Sequence, residues 1–347
     1  MRKSVGLVVA LMLGMVTVGR AAPLDLKEVA GDAKIVAHLD IDALVAASLT
    51  QKAKAEALKK HPEAQKHLEL FKALWKFDPT KDLHSITVYS KQFKPGSGVA
   101  IVKAKIESSL LLEKVKLAPE HRVSAYGKYE VHSWLHAKGS RHERTIAGTF
   151  YKPDVLVFGA SIENLYAALD VLDGKTPSLY GKDAALGVSV PAGAVLVAGA
   201  LDISSADLPC HCPLPKQLGA LTLAIGESQG EVYVQAQLNV KQAETAQKIK
   251  TVLDGAIAFA SLTHSDNADA IKVINAVKAA VSDKAVTLEA RGTVDAVWDL
   301  IQKAAAQAEK MHKEGRHGPF GAHGPHGGHG PHDGGPHGGQ CPFPPKG

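Results

Sequence analysis

Two stretches of this 347-residue chain carry the same period-two alternation, and that repetition limits the fold more than any other feature. One runs Ile86-Thr-Val-Tyr and resumes from Gly98 to Ile106; the other runs Leu221-Thr-Leu-Ala and resumes from Gly230 to Leu238. Setting Gly98 on Gly230 places Ala100 on Val232, Val102 on Val234, Ala104 on Ala236 and Ile106 on Leu238. The intervening positions are polar, Lys103 and Lys105 in one copy and Gln235 and Gln237 in the other. Such alternation predicts antiparallel hairpins buried on one side and wet on the other.

The same correspondence extends outward. Leu39-Asp40-Ile41 matches Leu201-Asp202-Ile203, and Ser161 to Tyr166 matches Thr293 to Trp298, with Ser161 and Thr293 placed as helix N-caps after a strand. Asp40 and Asp42 could be paired carboxylates, but Asp40 falls on Asp202 at a strand end, so capping or turning the backbone is the reading in place of acid/base work, and His38, which falls on Ala200, reads as a sheet-face histidine. The connectors differ. Asp42 to Phe77 has a helical pattern broken at Pro62, with Leu68, Phe71 and Trp75 at helical spacing, whereas Ile203 to Leu218 is proline-rich and holds two cysteines. The expected fold class is α+β: two related halves, 22–178 and 179–314, each an antiparallel sheet with helices on one face.

Arg2 and Lys3 precede an apolar run from Val5 to Val18, and Gly19 and Ala21 supply small side chains before Ala22-Pro23. Residues 1–21 therefore read as a signal peptide. A helix over that run spans only about 21 Å, short of the roughly 30 Å hydrocarbon core. No later stretch has the length of a membrane span, so the expected location is periplasmic or secreted. The formal charge of +5 drops to near +2 without Arg2, Lys3 and Arg20, too little to argue for a nucleic-acid partner. Ile35 to Leu44, Asp78 to Val88 and Ala168 to Gly174 resemble segments of a group of exported bacterial proteins common in planctomycetes. The resemblance implies a fold and an export route but no catalytic residues.

The end of the chain has a different composition. Residues 315–347 contain 12 Gly, 7 Pro and 6 His, which predicts a disordered tail that cannot bury a core. A six-residue period starts at His317, His323 and His329, with His326, His332 and His337 between and after. Imidazoles three apart on an extended chain lie roughly 9 Å from each other, but the glycines let the chain fold back around one ion. Neutral imidazole suits zinc, nickel and copper(II). Cys210, His211 and Cys212 form a second candidate donor set. With Cys341 they leave three outcomes open: a disulfide, a mixed sulfur and nitrogen metal site, or free thiols.

Other patterns are weaker. Gly226-Glu-Ser-Gln-Gly230 has the spacing of a nucleophile elbow around Ser228, but a strand pattern follows where a helix is required, so it reads as a hairpin turn. His132 and His136 fall in an alternating stretch and read as surface polar residues on a strand. Gln51 to Lys72 holds six lysines and three glutamates, read as a solvated helix face with local ion pairs. No phosphate-binding, H-E-x-x-H or EF-hand pattern is present. The expectation is a non-catalytic binding protein whose tail takes transition metal ions and requires no cofactor. An envelope-interaction protein working through its duplicated body, with an unidentified protein or ligand as partner, is the alternative; a serine hydrolase at Ser228 is a remote one.

Overall fold

The computed structural model describes residues 23–94, 96–140, 143–181, 190–206 and 214–313. The alternating stretches form strands that join into one twelve-stranded sheet, antiparallel at every pairing. In the first half the strands are β1 (Ile35–Asp40), β2 (Leu83–Ser90), β3 (Gly98–Ala104), β4 (Arg122–Tyr126), β5 (Tyr129–His136), β6 (Arg144–Lys152) and β7 (Val155–Gly159). In the second they are β8 (Ala194–Leu201), β9 (Leu218–Ser228), β10 (Glu231–Val240), β11 (Val277–Ser282) and β12 (Ala285–Thr293).

The strand order across the sheet is β11-β12-β10-β9-β8-β1-β2-β3-β7-β6-β5-β4. Outward from the β1·β8 seam, each side pairs its strands in the same sequence: β1-β2-β3-β7-β6 on one side, β8-β9-β10-β12-β11 on the other. The two sheets expected from the sequence are thus the wings of one. At the seam Ile35 lies opposite Ala200, Val36 opposite Gly199, Ala37 opposite Ala198 and His38 opposite Val197.

Eight helices are present among the described residues: α1 (Ile41–Ala46), α2 (Ser48–Lys60), α3 (Glu63–Trp75), α4 (Ser108–Lys116), α5 (Ile162–Leu172), α6 (Ala243–Thr263), α7 (Ala268–Ala276) and α8 (Val294–Lys313). Their ends follow local chemistry. Asp40 caps α1 by accepting from Ala43 N at 2.8 Å, Ser161 caps α5 through Asn164 N, and Thr293 Oγ1 accepts from Ala296 N at 3.3 Å. The α2–α3 break falls at His61-Pro62, because proline cannot supply the amide that an uninterrupted helix needs.

The pleat sends alternate side chains to two cores. On one face Val36, Tyr89, Ile101 and Val157 pack under α5 and the segment around Val29 and Ala30, with Leu165 and Leu169 fully buried. Gly159 is needed beneath α5, since a Cβ there would stand 2.5 Å from Leu165 N. On the opposite face Leu39, Ile86 and Val102 meet Ile41 and Val45 of α1, and Leu238, Val281 and Val286 meet Ala246, Ile249 and Leu253 of α6. Full burial of a valine, leucine or isoleucine in these cores contributes about 1.5–3 kcal/mol.

The helices of this second face join side to side. Lys114 of α4 stands over the Trp75 ring of α3, α2 is tied to α8 by Lys52–Asp295 at 2.7 Å, and α7 to α8 by Lys303–Asp269 at 2.5 Å.

Candidate functional site

A concavity lies at the seam. Residues 29–34 run between the halves and are bonded to both: Gly31 N donates to Pro177 O, Leu179 N to Val29 O, Lys34 N to Ser90 O, and Leu201 N to Lys34 O. Leu179, just past the expected boundary, is buried in the first-half core. Beside this stitch opens a cleft of about 410 Å³, lined by Asp32, Lys34, Leu201, Asp202, Gly219 and Asn239 among others. Gly31 permits the close approach, because a Cβ there would sit 2.9 Å from Ser178 O.

Lys34 and Asp202 form an ion pair in the cleft. Asp202 adopts the left-handed region (φ 49°, ψ 49°) and opens a 3-10 turn, Ile203–Ser205, accepting from Ser204 Oγ while Ser205 Oγ donates to its carbonyl. The Lys34 ammonium holds the Asp202 carboxyl below the usual carboxylate range. Asp202 was expected to serve a turn, and the structure gives it that role. The arrangement presents one fixed charge pair, an amide at Asn239 and apolar walls, a surface suited to binding a polar group.

The sequence-derived donors stand outside this description. His317, His323, His326, His329, His332 and His337 lie in the tail, and Cys210, His211 and Cys212 in the segment 207–213; both stretches are outside the described residues. The chain enters the 207–213 segment just after the Ile203–Ser205 turn and leaves it at the 3-10 turn Leu214–Gln217. Among the described residues there is no group of three or more His, Cys, Asp or Glu side chains placed to hold a metal ion.

One reading changes with the structure. His132 is on strand β5 as expected but only 4% exposed, not a surface residue, because it faces Gly148 on β6 and packs against α4. Its ring stacks on His121, with His121 Nε2 3.1 Å from His132 Nδ1, while His132 Nε2 lies 3.1 Å from Glu130 Oε1. Burial lowers the His132 pKa; Glu130 opposes this, and the charges of His121 and Lys116 add to it.

The Gly226–Gly230 motif is a hairpin turn, with positive φ at Gln229 (55°) and Gly230 (79°), and β10 occupies the place of the helix that a nucleophile at Ser228 would need. Its consequential residue is the neighbour, Glu227. That carboxylate accepts from Ser48 N at 3.0 Å and Leu49 N at 3.1 Å, capping α2 from the other half of the molecule. The local sequence holds one sign of this: Ala47, at the N-cap position, has no side chain able to cap the helix.

No family model matches the chain, and no curated protein matches it. Among solved structures, three crystal forms of TP0453 (forms III, I and IV) align at 10%, 11% and 8% identity with TM-scores of 0.41, 0.40 and 0.41. Each covers 81% of this chain and 97–99% of its own. Likeness of that degree assigns neither family nor function.

Proposed function

We propose that this chain is an exported, periplasmic or secreted, binding protein without catalytic machinery, whose histidine-rich tail gathers zinc, nickel or copper ions. The observation that carries the proposal is the six-residue recurrence of imidazoles over His317, His323 and His329, filled in by His326, His332 and His337. Neutral imidazole is a good donor to all three ions, and protons displace them increasingly below about pH 6.

The body supplies a mount. Helix α8 leads into the tail; it rises about 30 Å over its 20 residues, and Ala304 to Lys310 are exposed, so its last turns stand clear of the sheet. Cys210, His211 and Cys212 are additional donors in this reading. Titration calorimetry with zinc, nickel and copper(II) on the whole chain and on a chain ending before Gly315 tests it. Uptake should fall to a small remainder on truncation; equal stoichiometry in both chains refutes the assignment.

The seam cleft favours a second reading, in which the duplicated body captures an envelope partner or ligand and the tail is incidental. Under that reading partner capture survives removal of the tail and is lost on Lys34→Glu.

A further inference from the structure

Helix α3 turns an apolar stripe away from the molecule. Leu70, Phe71, Leu74 and Trp75 follow the one-face spacing of a helix, and they are 51%, 38%, 72% and 39% exposed. The inner side of α3 is modest by comparison: Ala64 is its one buried residue, and Lys72 is held inward by Asp78 and Glu69, each at 3.1 Å. Lys114 of α4 reaches over the Trp75 ring, and just after α4 Leu117 is 81% exposed.

Charge identifies what would cover this patch. From Ser48 to Lys76 the hairpin of α2 and α3 holds seven lysines and three glutamates. Lys66 lies one turn before Leu70 on the same side, Lys76 ends the helix, and Lys114 and Lys116 stand exposed on α4. A second copy of the chain would bring this surplus of positive charge against itself. An anionic surface would neutralise it.

A tryptophan and a phenylalanine beside leucines, rimmed by lysines, have the composition of a helix that lies in the headgroup layer of a bilayer. At 13 residues α3 is about 20 Å long, too short to cross, and no described helix is long and apolar enough to do so. The exposed stripe of α6 at Val252, Phe259 and Leu262 differs. Its neighbouring lysines are matched, Lys248 by Glu244 at 2.7 Å and Lys250 by Asp254 at 2.5 Å, so nothing there selects a partner by charge.

We propose that α3, with the lysines around it, docks the protein on the surface of anionic phospholipid. The surface is separate from the tail and does not rest on metal binding. Flotation with phosphatidylcholine vesicles, with and without phosphatidylglycerol, tests it on the chain from Ala22 to Gly347, which removes the apolar run Val5–Val18. The medium holds a chelator and a pH well above 6.5, so that the tail imidazoles are neutral.

The chain should float only with phosphatidylglycerol, and less as salt rises. Phe71→Glu with Leu74→Glu should lower partitioning at least about tenfold, and Lys66→Gln about fivefold. Phe259→Glu and truncation before Gly315 should leave it unchanged. A measurement that needs no disruptive variant is quenching of tryptophan emission by brominated phosphatidylglycerol, which Trp75→Phe should remove. Undiminished flotation of the double glutamate variant, equal binding to pure phosphatidylcholine, or no binding at all would overturn the proposal. So would a dimer in sedimentation that Leu74→Glu disperses.

Discussion

His132, itself buried, holds its imidazole between a second histidine and a glutamate. The sign of its effect on stability follows from burial. A histidine whose folded pKa lies below the ordinary 6.5 takes up its proton more readily when unfolded, so acid favours the unfolded chain. The contribution is complete above pH 6.5 and is lost as pH falls from there through the folded value. Calorimetric melting from pH 8 to pH 5 should show a steeper loss of Tm in the natural chain than in His132→Gln. The difference in slope between the two chains isolates this one of the 17 histidines. Parallel slopes, or an imidazole NMR titration with a midpoint at or above 6.5, would contradict it.

At the scale of the element, Glu227 carries a role that local pattern does not show. Its two bonds to the first amides of α2 cross from one half to the other, and negative charge at a helix N-terminus is favourable in itself. Glu227→Ala should cost about 1 kcal/mol, read as a lowered urea midpoint at constant m. An unchanged midpoint would show the cap to be idle.

Local features of the fold were legible in the sequence. The hairpins, the break at Pro62, the caps at Asp40, Ser161 and Thr293, and the turn at Gly230 all arise from residues within a few positions of one another. The seam was not, because nothing near β1 specifies β8 as its neighbour; that pairing is a long-range choice. His132 was misplaced for a related reason: alternation assigns sides to a strand but does not say that α4 covers the second side. The stripe on α3 was half visible, with Phe71 and Trp75 noted at helical spacing, but spacing alone does not reveal that the stripe faces outward. The cleft was not legible, since Lys34, Asp202 and Asn239 are brought together by three separate strand ends.

For the molecule as a whole, the seam makes each half dependent on the other. A chain ending at Gly181 would leave β1 as a bare edge, with unpaired amides and carbonyls in a row. Such a chain should form dimers through that edge, visible by analytical ultracentrifugation, and a chain starting at Val190 should disperse them by competing for it. A stable monomer of the first half would exclude this. The register says why self-pairing is open to it. Taking His38 as the counterpart of Ala200 makes Ile35 the counterpart of Val197, and the seam sets Ile35 against Ala200 and His38 against Val197. The pairings exchange when the halves are swapped. That reciprocity is what two-fold symmetry imposes on identical partners. A seam of this kind has the geometry of a dimer contact held within one polypeptide: the two sides do not have to meet by diffusion, and their pairing does not depend on protein concentration.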